Sequence, residues 1–594
     1  MKNNSEKIYF DALLNEFNKK NIKNFKKLAL LVTKKFPHYI VGWKALGTAY
    51  TIIENYVESL NAFKKAVEIS DQDAEIFYNL GIVYTKLGKL IDAELAYKKS
   101  ITINPNNPNA LNNLGNTLSR LNKLDEAVDV FENLLKIDPS NLSSRTQLIY
   151  EYCKICEFKK FDENLKLATT LGISSNSVDP NPFLSLIDNP DLQFQRAKKF
   201  AIERFRQSSQ SLLIKPSILP TKIRIGYFSA DFHNFPGMYL MTRMLELHNR
   251  EEFEIFAFSY GPDKNDEMRK RIVLAVDHFI DISKMSIRDT IRCVRKNKID
   301  IAIHRNGYTK NSKTEIFQYR IAPIQINYLG YPGTLGADFI DYIIADKNII
   351  PQDKEQFYLE KIIYMPHCYQ PNDDTRKIPF IDTKREDFNL PKNAFVLCSF
   401  NQSYKINPNE FRIWMKILKK VNNSVLWLLK SNKWAIKNLE KSAELNGIDP
   451  KRIIFAEKLN HIEHLSRHKH ADLFVDTFNY NAHTTASDAL WAGLPLVTKI
   501  GKQFSARVAA SLLITLDLSE LVAQTEEEYE NLIYELATNP KKLKFIKKKL
   551  ITNIKTKPLF DSQRYTKYFE KGLKEVYKNY FYNHTVKNLH ISED

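Results

Sequence analysis

The chain has 594 residues, 43% of them hydrophobic, with 87 Lys+Arg against 69 Asp+Glu for a formal charge of +18, and five cysteines. At roughly 100–200 residues per domain this length divides into about three to five folding units, each with apolar material for a core, which excludes wholesale disorder and a collagen-like repeat. Five scattered cysteines make no disulfide framework, so a reducing, cytoplasmic location is expected.

Met1-Lys2-Asn3-Asn4-Ser5-Glu6-Lys7 leads into mixed helical sequence without the apolar core of a signal peptide, and no apolar run approaches the roughly 20 residues of a membrane span. No membrane partner is expected. The positive balance invites a polyanion, but the excess is mostly lysine in a chain also rich in Asn and Ile, a composition that mutational bias produces by itself. Nucleic acid is therefore disfavoured as a partner.

The first elements are repeats. Trp43-x-x-Leu46-Gly47-x-x-Tyr50 recurs as Phe77-x-x-Leu80-Gly81-x-x-Tyr84 and as Leu111-x-x-Leu114-Gly115-x-x-Leu118, at intervals of 34 residues. Ser59/Phe63, Ala93/Tyr97 and Ala127/Phe131 keep the same step, and Pro105 and Pro139 close two of the units. These are tetratricopeptide repeats. Their small residues let two helices approach, their aromatics fill the gap, and proline ends the second helix because it cannot continue the hydrogen-bond ladder. With a degenerate unit before them and a degraded one near Gln147–Tyr152, about four units are expected to stack over residues 1–170 as an α-solenoid, a right-handed superhelix with a concave face.

Asn79 and Asn113 stand 34 residues apart, with Asn116 on the next turn of the same helix. They are candidates for a ladder that hydrogen-bonds the backbone of an extended peptide, and a solvated face in an Asn-rich chain is the equal alternative. Cys153-x-x-Cys156 has the spacing of ordinary helix packing and lacks the four ligands of a zinc site, so no metal is expected.

A break over 174–182 and a short helix over Gln193–Gln207 mark a linker of residues 171–215. Runs rich in Ile, Val, Phe and Tyr then alternate with helical stretches. The first set is Ile223–Ser229, Phe253–Tyr260, His278–Ile282, Ile299–His304, Ile324–Leu329, Tyr342–Ala345 and Ile362–Met365. The second is Phe395–Phe400, Ser424–Leu429, Arg452–Phe455, Ala471–Thr477 and Leu496–Lys499. Strands separated by helices predict two Rossmann-like, doubly wound parallel sheets, over 216–385 and 386–560, followed by a C-terminal helix and tail over 561–594. Such sheets bind ligands at the carboxyl ends of their strands, here in the cleft between the halves. No Gly-x-Gly-x-x-Gly or Gly-x-x-x-x-Gly-Lys-[Ser/Thr] follows a strand, which disfavours a dinucleotide dehydrogenase or a P-loop nucleotidase.

Polar residues gather at those strand ends. Asn401-Gln402-Ser403-Tyr404-Lys405 supplies amides and an ammonium for an anion. Asn481-Ala482-His483-Thr484-Thr485-Ala486-Ser487-Asp488 opens a helix whose free N–H groups and positive dipole end suit a phosphate. Between them, His461-Ile462-Glu463-His464-Leu465-Ser466-Arg467-His468 carries His and Arg on one helical face. Taken singly, these residues are helix caps and surface histidines; together they read as a pocket for a nucleotide diphosphate.

Repeats joined to two such halves, with Asn306-Gly307-Tyr308-Thr309, Ala322-Pro323-Ile324-Gln325, Leu329-Gly330-Tyr331-Pro332-Gly333-Thr334, Phe400-Asn401-Gln402-Ser403-Tyr404-Lys405, Ser424-Val425-Leu426-Trp427-Leu428-Leu429, His483-Thr484-Thr485 and Pro558-Leu559-Phe560-Asp561, resemble the protein O-GlcNAc transferase family. The resemblance implies a GT-B fold and an inverting transferase, independent of metal and cofactor, that moves N-acetylglucosamine from UDP-GlcNAc to Ser or Thr hydroxyls. It implies that Lys405 neutralises the departing diphosphate and that Gln402 contacts the same region. Thr484 and Thr485 would present amides to the phosphates, His464 and Arg467 would flank the uracil, Asp488 would accept from the ribose and His483 would face the sugar. The loop carrying Gly333 and Thr334 would close over sugar and acceptor. The implied partners are a nucleotide sugar and acceptor proteins held by the repeat arm; a homo-oligomer is compatible with the sequence.

Two positions depart from the family pattern. A histidine commonly precedes the proline of the Asp-Phe-x-x-His-Pro block and is a candidate base for the acceptor; here Asp231-Phe232-His233-Asn234-Phe235-Pro236 has Phe235 there, which cannot take a proton, so either the base is His233, the donor's own phosphate or a water relay, or activity is weak. His461 stands where relatives often carry a lysine near the ribose. The alternatives are a related transferase using another nucleotide sugar, such as GDP-fucose, and a repeat scaffold with a degenerate transferase domain.

Overall fold

The computed structural model describes residues 2–205, 219–582 and 584–593; the end of the expected helix Gln193–Gln207 and the expected 215/216 boundary lie outside them. The chain divides into two compact units, Met1–Tyr152 and Cys153–Asp594.

In the first unit, antiparallel helix pairs follow one another: Lys2–Asn18 with Ile22–Lys35, Ile40–Ile52 with Tyr56–Ile69, Ala74–Lys86 with Leu90–Ile103, and Pro108–Arg120 with Leu124–Ile137. The repeat explains itself at one contact that recurs in register. A Cβ at Gly47 would stand 2.8 Å from the Phe63 ring, at Gly81 2.4 Å from Tyr97, and at Gly115 2.6 Å from Phe131. Each glycine therefore lets the first helix of its unit lie against the aromatic ring of the second. Tyr97 and its equivalents Phe63 and Phe131 are almost wholly buried. Gly81→Ala is expected to destabilise this unit by about 1–3 kcal/mol through overpacking, despite alanine's better helix propensity. Urea titration followed by far-UV circular dichroism checks it; an unchanged midpoint would show that Tyr97 has room to move.

The second unit holds fourteen strands among the described residues: β1 (Ile223–Ser229), β2 (Phe253–Ser259), β3 (His278–Asp281), β4 (Ile301–His304), β5 (Ile324–Asn327), β6 (Tyr342–Asp346), β7 (Lys361–Met365), β8 (Phe395–Ser399), β9 (Ser424–Leu429), β10 (Ile453–Ala456), β11 (Leu473–Val475), β12 (Leu496–Lys499), β13 (Val522–Ala523) and β14 (Leu589–His590). They form an eight-stranded sheet of order β14-β7-β6-β5-β4-β1-β2-β3 and a six-stranded sheet of order β10-β9-β8-β11-β12-β13. The solenoid and the two parallel-sheet halves expected from the sequence are thus the architecture found. Strands such as β4 and β6 are buried at every position, as a parallel sheet covered on both faces requires.

The chain's last residues do more than the expected tail. Helix Ser562–Phe581 returns to the first sheet, burying Phe569, Leu573 and Val576 in its core, and Glu570 accepts from the Asn249 amide at 2.7 Å. Beyond it, β14 pairs in parallel with β7 and becomes an edge strand. No helix among the described residues is long and apolar enough to cross a membrane.

Candidate active site

Strand order reverses direction between β1 and β4 in the first sheet and between β8 and β11 in the second. A doubly wound sheet opens its ligand crevice at such a switch point, outside the carboxyl ends of the strands. The chemistry-bearing residues lie there: Asp231 and His233 after β1, Arg305 and Asn306 after β4, Gln402 and Lys405 after β8, and Asn481–Thr485 after β11. The halves meet across this region. Tyr239 of the first stacks on His461 of the second with centroids 3.8 Å apart and planes 4° apart, and Gln370 Nε2 donates to Ser487 Oγ at 2.7 Å.

Lys405 closes a one-turn helix, Ser403–Lys405, and is buried. Its ammonium donates to the Asn481 carbonyl at 2.9 Å and lies 3.9 Å from the centre of the Tyr480 ring. Among the described residues no carboxylate forms an ion pair with it. Burial pulls its pKa down to about 7, with the more distant Asp476 acting the other way. A lysine desolvated without a counter-ion is costly unless an anion joins it.

Asp476 shapes the loop that faces this ammonium. Its carboxylate accepts from the amides of Ala482 (2.7 Å) and Thr477 (2.8 Å) and from Thr498 Oγ1 (2.7 Å). Helix Thr484–Trp491 then starts at His483 without a side-chain cap, and its first intrahelical donor is Ser487 N, 3.1 Å from the His483 carbonyl. The amides of Thr484 and Thr485 therefore point past the helix end, where they and the dipole attract an anion. Thr485 Oγ1 donates to Asn401 Oδ1 at 2.8 Å, tying the β8 and β11 loops together, and His483 Nε2 lies 3.1 Å from the Ser505 carbonyl. Gln402, at the lip of the Lys405 turn, is exposed.

The histidine-bearing helix His461–Arg467 follows β10. Arg467 is buried beneath it rather than lining the open cleft: its guanidinium lies 4.3 Å from the centre of the Phe400 ring and donates to the Glu457 carbonyl and to His464 Nδ1, both at 2.6 Å. Burial, reinforced by His468 and Arg467, drives the His464 pKa well down. His464 is thus neutral, and because Nδ1 accepts from Arg467, Nε2 carries its proton. Asp488 is also engaged already. Arg376 Nη1 donates to its Oδ1 at 2.7 Å and His461 Nε2 stands 3.5 Å from the same oxygen. Burial alone would raise its pKa; the opposing pull of His461 and Arg376 prevails and lowers it to about 2.

In the first half, Asp231 is fixed by Arg305 and by Asn306 Nδ2 at 2.8 Å, while Asn306 Oδ1 accepts from the Ala230 amide at 2.9 Å. His233 is buried edge-on to Phe235, its Nδ1 3.2 Å from the Asn234 carbonyl. Burial, aided by Lys264, lowers its pKa. Thr334 is taken up by the fold: its hydroxyl donates to the buried Glu360 and accepts from the Gly336 amide at 3.0 Å. The carbonyl of Gly333, half-buried beside it, accepts from Asn327 Nδ2 at 3.0 Å. In the repeats, Asn113 hydrogen-bonds Tyr78 and Tyr97, whereas Asn79 and Asn116 are half-buried. Arg376, Tyr239 and Asp476 carry no motif signal; only the last, at the end of an apolar run, was locatable from the strand-end rule.

The sequence matches the model of glycosyl transferase family 41 over residues 213–384 and 373–569, and tetratricopeptide-repeat models over 47–88, 74–107 and 96–129. The chain belongs to glycosyl transferase family 41. Among relatives of this family 41 chain, the probable UDP-N-acetylglucosamine–peptide N-acetylglucosaminyltransferase SEC of Arabidopsis thaliana is 37% identical over 412 residues, 67% of this chain and 42% of the relative. A UDP-N-acetylglucosamine–peptide N-acetylglucosaminyltransferase of Caenorhabditis elegans is 28% identical over 471 residues, covering 60% and 41%. The chain thus spans about two fifths of the length of these curated relatives. A solved structure of a mutant O-GlcNAc transferase from Thermobaculum terrenum superposes with a TM-score of 0.69 over 92% of this chain and 98% of that one, at 20% identity, a likeness of fold.

Proposed function

We propose that this chain is a protein O-glycosyltransferase that moves N-acetylglucosamine from UDP-GlcNAc to Ser or Thr hydroxyls of proteins, with inversion and without a metal or other cofactor. The observation that carries the reading is Lys405, a buried ammonium with one neutral hydrogen-bond acceptor, beside the uncapped start of helix Thr484–Trp491. A diphosphate seated there supplies the missing counter-charge. The same groups neutralise the charge that grows on the phosphate oxygen as the bond to the sugar's anomeric carbon breaks, the task a divalent cation performs elsewhere. Gln402, at the lip, contacts the diphosphate.

The remaining residues divide the donor between them. His464, held neutral with Nε2–H outward by Arg467, donates to a uracil carbonyl. Asp488, kept ionised by Arg376 and His461, accepts from the ribose hydroxyls. His483 faces the sugar, and Gly333 leaves space where a side chain would crowd it. The acceptor oxygen attacks the anomeric carbon from the side opposite the phosphate while its proton passes to His233. The repeats hold the acceptor proteins, with Asn79 and Asn116 as backbone contacts.

The test is incubation of the purified chain with UDP-GlcNAc, UDP-glucose, UDP-galactose and GDP-fucose plus a cell lysate, scoring nucleotide release and protein mass gain. UDP release with a gain of one N-acetylhexosamine per site is expected. Turnover of GDP-fucose alone would replace the donor assignment, and no turnover with any donor would overturn the enzymatic reading.

A further inference from the structure

We propose that residues 184–188, which precede the first sheet and lie outside the stretch matched by the family 41 model, are a built-in wall of the donor pocket, with Asp188 as its positioning residue. The proposal rests on the nucleotide-sugar reading and adds to it a part that comes from neither sheet.

The Asp188 carboxylate accepts from two consecutive main-chain amides of the loop after β12: Lys502 N at 2.9 and 2.8 Å from its two oxygens, and Gln503 N at 2.8 Å from Oδ1. A side chain at residue 501 is excluded from two sides, since a Cβ there would stand 2.5 Å from Ala506 Cβ and 2.6 Å from Asp188 Oδ2. Burial pushes the carboxyl's pKa up, and the two amides, with Lys499 and Lys502, offset only part of that rise. The same short segment fastens the neighbouring loops. The Leu184 carbonyl accepts from Gln503 Nε2 at 2.9 Å, and the Ser185 carbonyl accepts from Asn407 Nδ2 at 3.0 Å, in the loop after β8, and from Asn479 Nδ2 at 3.2 Å, in the loop after β11.

From this anchor a continuous path reaches the ammonium. Two residues beyond Gln503, the Ser505 carbonyl accepts from Asn481 N at 2.9 Å and lies 3.1 Å from His483 Nε2, and the Asn481 carbonyl accepts Lys405 Nζ at 2.9 Å. Strand-end loops are the mobile parts of a doubly wound fold, and donors aimed at a phosphate act only if they are fixed before it arrives. Segment 184–188 fixes three such loops from outside the sheet that bears them.

The experiment uses the full chain and two readouts, the affinity for UDP by calorimetry and the rate of acylation of Lys405 by acetic anhydride at pH 7, read by mass spectrometry against surface lysines. Asp188→Ala is expected to weaken UDP binding about tenfold or more through misplaced donors, and to change Lys405 acylation as its shelter loosens. Asp188→Asn, which keeps Oδ1, is expected to restore most of both. Gly501→Ala crowds the carboxylate and Ala506 together and is expected to reproduce the loss, and the conservative Asp188→Asn keeps the proposal testable if Asp188→Ala does not fold. Unchanged UDP affinity and unchanged Lys405 acylation in a folded variant overturn it. Failure of the nucleotide-sugar reading looks different: the wild-type chain binds no UDP, while Lys405 acylation still responds to Asp188.

Discussion

Replacing Lys405 by methionine is expected to abolish turnover and, in the same protein, to raise the thermal unfolding midpoint at neutral pH. Both effects come from the same burial. In the folded chain the ammonium's pKa falls from the ordinary 10.5 to about 7 because the site excludes water and offers one carbonyl and one aromatic face in return. Between those two values the unfolded chain holds a proton that the folded chain does not, so stability rises with pH across that window and the lysine destabilises the fold below it. At pH 7 the linkage is roughly 4 kcal/mol against folding. Methionine removes that term and keeps the apolar stem against Tyr480, at a cost of about 1–3 kcal/mol for leaving the Asn481 carbonyl without its donor. The midpoint should therefore increase at pH 7, and the gain should shrink by pH 10, where the folded wild-type lysine is neutral and most of the window up to the unfolded value of 10.5 has been crossed. Turnover should fall by about a thousandfold or more, because the charge that meets the departing diphosphate is gone. Scanning calorimetry at the two pH values and a nucleotide-release assay give both answers. A variant less stable than wild type at pH 7 would show that the ammonium is solvated after all, and normal turnover would remove Lys405 from the phosphate site.

What the sequence revealed, it revealed through local pattern. The 34-residue step places Gly81 against Tyr97 because both partners lie within one helix pair, and apolar runs bounded by turns locate β1, β9 and β12 to the residue. The strand-end rule brings Lys405 and Thr484–Thr485 together for the same reason, since each follows its strand directly. Contacts made between distant segments stayed hidden. Arg376 reaches Asp488 from 112 residues away, and Asp188 reaches Gln503 from 315. Neither sits in a repeat or at a strand end, so nothing in its neighbourhood marks it. Strand β14 is two residues long, too short for any alternation to show, and exists because β7 offers an unpaired edge. Thr334 and Arg467 are visible as motif members, yet the structure turns one toward Glu360 and the other beneath His464. Residue type and spacing say which side chains belong to a site, while packing decides whether each touches the ligand or braces one that does.

The pH dependence of the proposed transfer discriminates between His233 and the donor's own phosphate as the base. His233 must be neutral to take the acceptor's proton. Burial and Lys264 lower its pKa below the usual 6.5, against weaker opposition from the Asn234 carbonyl, Asp231 and Asp266. Lys405 must be protonated to meet the diphosphate, and in the free enzyme it loses that proton near pH 7. The profile of kcat/KM, which reports the free enzyme, is therefore expected to be a narrow bell, rising through a value below 6.5 and falling above about 7. In kcat, which reports the bound complex, the alkaline limb should move upward, because the diphosphate stabilises the ammonium while the acid limb stays near its place. Asp488, held near 2, is ionised throughout and contributes neither limb. His233→Ala should lower kcat by about 10²–10⁴-fold and abolish the acid limb while leaving UDP affinity intact. Retention of the acid limb with near-normal kcat would assign the base to a phosphate oxygen of the donor, and would give Phe235 a reason: a chain whose substrate carries its own base has no use for a histidine at that position.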